Sequence, residues 1–428
     1  MFRGWVVVGA AFTALTVIFG VAYSFASFFA SFQSEFNALR ANVSLVFSIS
    51  GFIWFALGAF TGTAADRLGP RPMALVGMLL LAGGLFAASR AQTLMQVYAT
   101  YSLGVGLGVG FVYVPAIGAV QPWFRRRLGL AAGLASAGIG MGTLITPYVS
   151  VALIHAFGWR GAFAALGGFV LVVGVTAAAF LDNDPARHGL HPDGAAGEPG
   201  RAPPKTGLAL RETLRTRTFW VFYGTMLLCT IGQAMPFAHL VPYARDHGHS
   251  ESFGAILIGL VGVGSVIGRF GLGGIGDRMG RREMLTTVYA AMAVLFAGWL
   301  ALESAVALAA FALLYGVTYG GFVSTAPPLA TDYFGPKAIS GAIGVLYTAA
   351  GIGYLIGPLT AGIAYDLQKS YTLPIAVAAA LLAAAAALSR VLPPSGRVVS
   401  EASGRSGSSS PRSRPRTPGA DAAPRRQR

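Results

Sequence analysis

The sequence predicts an all-α membrane protein with twelve transmembrane helices, arranged as two six-helix, pseudo-symmetric halves. Three observations support this fold class. Of the 428 residues, 54% are hydrophobic and only 11% are charged, which is more apolar surface than a soluble core buries. The apolar residues form twelve runs long enough to cross a bilayer, and a charged motif that follows the second run recurs 211 residues later.

The apolar runs are counted against the bilayer, because a helix needs about 20 apolar residues to cross roughly 30 Å of hydrocarbon. Six runs precede a segment rich in Pro, Gly and charge, at 4–31, 43–64, 72–89, 95–122, 128–154 and 160–181. Six more follow it, at 218–243, 253–276, 283–301, 304–330, 337–365 and 371–391. We therefore expect halves at 1–181 and 218–391, a linker at 182–217, and a disordered basic tail at 392–428.

The distribution of basic residues predicts the orientation. A formal net charge of +15 would suit a nucleic-acid-binding protein, but the charge lies between and after the apolar runs. If the N-terminus is cytoplasmic, 25 of the 31 Lys and Arg residues lie inside, one lies within a span, and five lie outside: Arg40, Arg90, Arg160, Arg245 and Lys369. The positive-inside rule then predicts a multi-pass plasma-membrane protein, expected in a bacterial inner membrane, with both termini cytoplasmic and nucleic acid excluded as a partner.

The repeated motif reads GTAADRLGPR at 62–71 and GGIGDRMGRR at 273–282, which indicates duplication. Parallel six-helix repeats place a substrate site near the midplane between the halves. Each copy predicts a charged turn at the cytoplasmic end of a helix, where ion pairs would hold one conformation and break in the other. These gating residues are Asp66, Arg67, Arg71, Asp277, Arg278, Arg281 and Arg282. The alternative is that they only form tight turns.

These turns resemble the GxxxDRxGRR signature of the major facilitator superfamily, although Pro70 replaces one basic residue in the first copy. Within that superfamily, WFRRRLGLAAGLASAGIGMG at 123–142 resembles the signature of the monocarboxylate and oxalate/formate transporter group. RGWVVV near the start and HLVPYARDHG at 239–248 are similar too. The resemblance extends to about residue 391. It implies the major facilitator fold and a secondary transporter that works by alternating access, rather than an enzyme.

Arg269 is the single Lys, Arg, Asp or Glu within the interior of a predicted span. A buried arginine costs at least ~2.5 to 3.5 kcal/mol, so it should face a wet cavity and pair with a negative group. The corresponding position in the first repeat is Gly58, so the fold itself does not require a cation there. This difference between the repeats indicates that Arg269 has a functional role. A substrate carboxylate held by the guanidinium fork is the expected partner, and the resemblance implies the same role for this arginine. Alternatively, Arg269 bonds to backbone carbonyls or extends towards the cytoplasm.

Two residues depart from the proteins that the chain resembles. Ser265, one turn before Arg269 and expected to bind substrate, stands where similar animal lactate carriers have an aspartate, which puts their proton relay in question here. Ala350 stands where similar oxalate exchangers have a lysine. One cation matches one carboxylate, so the second departure, Ala350, favours monocarboxylates over small dicarboxylates.

Tyrosines within the spans are further candidates for substrate binding, because a hydroxyl is better accommodated inside a bundle than against lipid. The candidates are Tyr113, Tyr315, Tyr319 and Tyr347, with Tyr23 as a weaker one. The resemblance implies aromatic substrate contacts at positions like the first three. Packing is the alternative role for each.

His239 in the seventh span is the candidate for proton coupling, because histidine titrates near neutral pH. The alternative is that it hydrogen-bonds to its neighbours or shapes the helix together with nearby prolines.

The expected function is therefore transport of small organic anions such as lactate or pyruvate, with proton symport left open. The alternatives are an exchanger of dicarboxylates or formate without proton movement and, third, a proton-coupled drug exporter. The single cysteine, Cys229, lies in an apolar run and is expected to pack. We expect no cofactor and no metal. The expected partners are a small carboxylate and the lipid bilayer, and the protein is expected to be a monomer.

Overall fold

The computed structural model describes residues 2–124, 127–192, 207–335 and 339–394. Every regular element within these ranges is a helix. The predicted all-helical membrane fold is therefore confirmed, and the predicted runs coincide with helices to within a few residues at most ends. The tail from residue 395 and the linker residues 193–206 lie outside the described residues.

The described part of the first half contains eight α-helices. Two of them, α5 and α8, are single turns that continue into their neighbours through wide π turns at Tyr98–Ser102 and Val170–Gly174. The helices are α1 Arg3–Tyr23, α2 Phe25–Phe36, α3 Arg40–Leu68, α4 Pro70–Ala88, α5 Leu94–Val97, α6 Leu103–Val120, α7 Leu128–Phe169 and α8 Val175–Ala179.

Eight α-helices also lie in the second half, as far as the structure describes it, and short polar side chains begin three of them. The side-chain oxygens of Thr216, Ser250 and Ser304 accept hydrogen bonds from backbone N–H groups in the first turns of α10, α12 and α14, which satisfies donors that a helix start leaves free. The helices are α9 Leu210–Thr213, α10 Arg217–Gln233, α11 Met235–Asp246, α12 Glu251–Met279, α13 Arg281–Trp299, α14 Ala305–Phe334, α15 Ile339–Gln368 and α16 Thr372–Ser389.

The repeated motif ends α3 and α12 in the same way. Gly69 and Gly280, which are equivalent in the repeat, follow these helices with φ of 88° and 100°. Glycine adopts this backbone region readily and other residues do not. The next residue begins another helix, with Pro70 in the first position of α4, where its missing N–H is not needed. The motif is thus a reversal between two antiparallel helices.

Within the described ranges, ten stretches are long and apolar enough to cross a membrane. The longest, Leu128–Ala179, has 52 residues, and Gly158 within it has φ 68° and ψ 169°, outside the helical region. Division at Gly158 gives two spans, and the 19-residue helix α13 adds one more. The helices are therefore consistent with the predicted count of twelve.

The first and seventh spans are broken at equivalent positions. Ser24 separates α1 from α2 with ψ of −9°, and Ala234 separates α10 from α11 with ψ of −21°. The two breaks are close to the repeat offset of 211 residues apart. The duplication therefore extends to local helix geometry.

The halves meet where α3 packs on α15 and where α7 packs on α12. We call the end of the bundle that carries the Gly69 and Gly280 turns the motif end. The other end, where Arg40 and Glu251 begin α3 and α12, is the latch end. Where the halves, the linker and the tail divide along the chain stays a prediction.

Candidate functional site

The position of Arg269 is determined by the close crossing of α12 and α14. A Cβ atom on Gly268 would lie 1.9 Å from the carbonyl oxygen of Val317, and one on Gly320 would lie 2.1 Å from that of Ser265. Only glycine lets two helix backbones approach so closely. The crossing fixes the depth at which Ser265 and Arg269 stand beside α14.

The Arg269 guanidinium is half-buried and reaches the other half. Its Nη1 donates to the backbone carbonyl oxygen of Ser136 in α7 at 3.3 Å, while its Nε is buried without a hydrogen-bond partner. No carboxylate among the described residues forms an ion pair with it. The backbone alternative is therefore realised by one long hydrogen bond, and the Nε donor stays available. Carboxylate binding by Arg269 stays a prediction.

Three other predicted residues lie near Arg269. Ser265 is 2% exposed, and its hydroxyl has no hydrogen-bond partner. Tyr113 in α6 and Tyr347 in α15 lie within electrostatic range of Arg269 and of each other. The structure thus gathers one cation and three hydroxyls between the halves. Two of these donors, the Ser265 hydroxyl and Arg269 Nε, are buried without a partner, which suits a small anionic ligand.

The hydroxyls of Tyr319 and Tyr315 have different partners. The Oη of Tyr319 is 2.9 Å from the Oη of Tyr23 in the other half, and the Tyr23 ring stacks on Phe237 with the centroids 4.3 Å apart. The Tyr315 hydroxyl donates to the backbone carbonyl of Gln233, the last residue of α10. That carbonyl lies at the helix break, so Tyr315 stabilises the break. Contact of either tyrosine with substrate stays a prediction.

His239 is fully buried near the latch end. Its Nδ1 is 3.0 Å from the Oη of Tyr371, and its Nε2 is 2.8 Å from the carbonyl oxygen of Pro358 and 3.1 Å from the Oγ of Ser44. A carbonyl only accepts, so Nε2 carries a hydrogen and Nδ1 of the neutral ring accepts from the tyrosine. Hydrogen bonding to neighbours, the alternative role, is present here. Proton coupling stays a prediction.

Several predicted gating residues form ion pairs at the motif end. The guanidinium of Arg281 pairs with Asp277 at 3.0 Å and with Asp332 at 2.6 Å. Arg282 pairs with Glu283 at 2.9 Å. All five residues belong to the second half: the Arg281 pairs join α13 to α12 and α14, and the Arg282 pair lies within α13.

The other gating residues at the motif end make no described link between the halves. Arg67, Arg71 and Arg278 are exposed, and the side chain of Asp66 lies outside the described part of the structure. Within the described residues, no ion pair crosses between the halves at this end.

A cluster that the sequence analysis missed joins the halves at the latch end. Nη1 and Nη2 of Arg40 in α3 bind both carboxylate oxygens of Asp246 in α11, at 2.7 and 2.6 Å. The guanidinium carbon lies 3.8 Å from the ring centroid of Tyr365, and Nη1 also donates to the Oη of Tyr371 at 2.7 Å. Asp366 of α15 accepts from the backbone N–H groups at the start of α3, at 3.0 and 2.8 Å. In the sequence, Arg40 stands out only as one of the five basic residues on the outer side of the spans.

Comparison with known proteins identifies the family. The model of the Major Facilitator Superfamily matches residues 10–311 and 272–419. The chain belongs to the major facilitator superfamily. The family resemblance of the motifs is therefore confirmed. The transporter is also similar in fold to a bacterial homolog of the human lysosomal transporter Spinster, solved in an inward-facing and unoccupied conformation, with a TM-score of 0.68, 15% identity, and coverage of 94% of this chain and 98% of that one.

Its curated relatives are monocarboxylate transporters. Monocarboxylate transporter 12-B of Danio rerio is 29% identical over 394 residues, covering 86% of this chain and 82% of that protein. Monocarboxylate transporter 13 of Bos taurus is 29% identical, with 91% and 89% covered. Monocarboxylate transporter 3 of Rattus norvegicus is 30% identical, with 86% and 75% covered. The chain is thus a multi-pass membrane transporter for a small molecule and not an enzyme. In the part that the structure describes, no group of three His, Cys, Asp or Glu residues is placed to hold a metal.

Proposed function

We propose that this transporter carries small monocarboxylates, such as lactate or pyruvate, by alternating access, and that Arg269 anchors the substrate carboxylate. The observation that carries the proposal is the half-buried guanidinium at the interface of the halves, with an unpaired Nε and no ion-pair partner among the described carboxylates. A carboxylate bound by two N–H donors supplies the missing charge. The names of the relatives support this substrate class.

The surroundings of Arg269 favour one carboxylate over two. Ala350, at the place of the second cation of the similar oxalate exchangers, is 3% exposed and supplies no charge. The hydroxyls of Ser265, Tyr113 and Tyr347 are neutral donors beside the guanidinium. A substrate with one carboxylate and a short polar or apolar remainder matches this set.

Coupling to protons is the second part of the proposal, with His239 as the proton site. Exchange without proton movement is the competing candidate, and Ser265 favours it, because this buried residue puts no carboxylate one turn from Arg269. His239 lies in the latch-end network instead, so a proton there acts on the closure of the bundle.

We propose that the motif end faces the cytoplasm of a bacterial inner membrane, with both termini inside and a monomer as the working unit. The supporting observation is the excess of Lys and Arg in the loops on that side. In this orientation the latch end, where the Arg40 cluster joins the halves, faces outwards.

The test is transport by purified protein in liposomes. Proteoliposomes are loaded with unlabelled lactate and diluted into radiolabelled lactate, pyruvate or oxalate, with and without an inward proton gradient. A monocarboxylate symporter accumulates lactate or pyruvate when the gradient is imposed on empty vesicles, and oxalate does not compete. An exchanger shows uptake only with internal substrate and no response to the gradient. Failure of all monocarboxylates under both conditions would contradict the proposed substrate class.

A further inference from the structure

The Arg40 cluster joins the two halves at the latch end. Arg40 begins α3 in the first half, while Asp246, Tyr365, Asp366 and Tyr371 all belong to the second half. The bidentate pair places two N–H donors on two carboxylate oxygens, which is the strongest arrangement for this pair of groups. The Arg40 side chain is 11% exposed and that of Asp246 is 26% exposed, so solvent screens the pair only partly.

The start of α3 carries a second link between the halves. The Asp366 carboxylate accepts from two free N–H groups in the first turn of α3. A carboxylate at a helix N-terminus is also favoured by the helix dipole. Separation of the halves at this end must therefore break the Asp246 pair and the Asp366 cap together, so the two contacts work as one unit.

The repeat predicts an equivalent contact on the other side of the bundle, and the structure contains it. Positions 40 and 366 correspond to 251 and 155 by the offset of 211. The Nε2 of His155, in α7, is 3.6 Å from the carboxylate of Glu251 at the start of α12, and both side chains are exposed to solvent. This contact also joins the halves, but it becomes an ion pair only when His155 is protonated.

His239 is connected to the Arg40 cluster by a directed chain of hydrogen bonds. Arg40 Nη1 only donates, so the Tyr371 oxygen accepts from it at 2.7 Å. The Tyr371 hydroxyl then donates to Nδ1 of His239 at 3.0 Å, and Nε2–H of His239 donates to the carbonyl of Pro358 at 2.8 Å. Every hydrogen in this chain has an acceptor only when His239 is neutral.

A proton on Nδ1 of His239 opposes this arrangement. It would point at the Tyr371 oxygen, and the tyrosine hydrogen would lose its acceptor. The groups that face or lie close to the ring are Phe29 from α2, Arg40 and Ser44 from α3, Asp246 from α11 itself, Pro358 and Asp366 from α15, and Tyr371 before α16. Arg40 repels an added charge and Asp366 attracts it, but both carboxylates are already engaged, Asp246 by Arg40 and Asp366 by the start of α3.

We infer that Arg40, Asp246 and Asp366 form the gate that closes the latch end, and that this gate closes only over a neutral His239. This gate rests on the proposed function, which makes His239 the proton site, because it describes how a proton enters the transport cycle. Protonation of His239 favours the open latch end, and closure expels the proton. Protonation of His155 has the opposite effect on the latch end, because it strengthens the contact with Glu251 and favours closure.

The experiment measures the opening of the latch end directly. Spin labels are attached to Gln92→Cys and Gln368→Cys, which are exposed positions at this end on different halves. The full-length chain also carries Cys229→Ser, which removes the native buried thiol. Double electron–electron resonance in lipid nanodiscs gives the distance distribution at about pH 8 and about pH 5, on either side of the usual histidine range. No substrate is added, so the result is separate from the substrate proposal.

We expect one short distance at the higher pH and a second, longer distance that grows at the lower pH. Arg40→Ala should give the longer distance at both pH values, and His239→Gln should hold the short distance at both. His155→Gln is the matched control: it removes the opposing histidine, so acid should open this variant at least as much as the native protein.

Three results would overturn the inference. They are a native distribution that does not respond to pH, an acid response retained in His239→Gln, and a short distance retained in Arg40→Ala. If Arg40→Ala does not fold, Asp246→Asn replaces it, because the amide keeps the shape of the carboxylate and removes its charge. A short distance in that variant at both pH values would overturn the gate just as clearly.

Discussion

Removal of the Arg269 guanidinium should weaken substrate binding strongly without unfolding the transporter. The side chain makes one described hydrogen bond, of 3.3 Å, and no ion pair with a described carboxylate. Arg269→Ala should therefore change the free energy of unfolding by no more than about 1 kcal/mol. Loss of one partner of a buried, hydrogen-bonded charge pair removes about 2–5 kcal/mol of binding free energy. Because the guanidinium is only half-buried, we expect the lower part of that range, about 2–3 kcal/mol.

Such a loss corresponds to roughly a 30- to 150-fold weaker binding of the carboxylate. Arg269→Lys should weaken binding too, because a point charge does not reproduce the planar fork. The assay is initial uptake of lactate into proteoliposomes, together with the thermal stabilisation of each purified variant by lactate. Arg90→Ala removes an exposed arginine from a loop and serves as the control. Uptake by Arg269→Ala with a KM within threefold of the native value would refute the reasoning.

Three further predictions concern residues around this site. Ser265→Asp should place a carboxylate one turn from Arg269 and compete with the substrate, so KM for uptake should rise at neutral pH and recover in acid as the new group is protonated. Tyr315→Phe should leave the carbonyl of Gln233 without its donor and lower the free energy of unfolding by about 1–3 kcal/mol, while the substrate concentration for half-maximal thermal stabilisation stays unchanged. Gly268→Ala should force α12 and α14 apart, since its Cβ would lie 1.9 Å from a carbonyl oxygen. We expect a lower melting temperature and a loss of uptake. A variant with native stability would contradict the packing argument.

Most of the fold could be predicted from the sequence, because the bilayer sets the length of each span and apolar runs report that length directly. The repeat placed Gly69 and Gly280 at equivalent reversals, and the structure gives both the positive φ that the motif needs. The helix breaks at Ser24 and Ala234 could not be read in the same way. Neither residue is a strong helix breaker, although Pro236 in the first turn of α11 removes one helical N–H next to the second break.

The candidate site could be predicted in part. An arginine within an apolar run is visible in any hydropathy analysis, so Arg269 needed no structure. The roles of Arg40 and Asp246 could not be predicted in this way, because each lies at the end of a span, where charged residues are common. Their pairing joins residues 206 positions apart, and only the packing of α3 against the second half brings them together. The sequence does show that both residues lie at span ends on the same side of the membrane, which makes contact between them possible.

The paired breaks at Ser24 and Ala234 have a mechanical consequence. Each leaves a twelve-residue helix beyond the break, α2 and α11, and these pieces pack against each other. These two short helices can tilt about the breaks while α1 and α10 keep their positions beside the substrate. Tilting of α11 carries Asp246 away from Arg40, but the latch end opens only when Asp366 of α15 also leaves the start of α3.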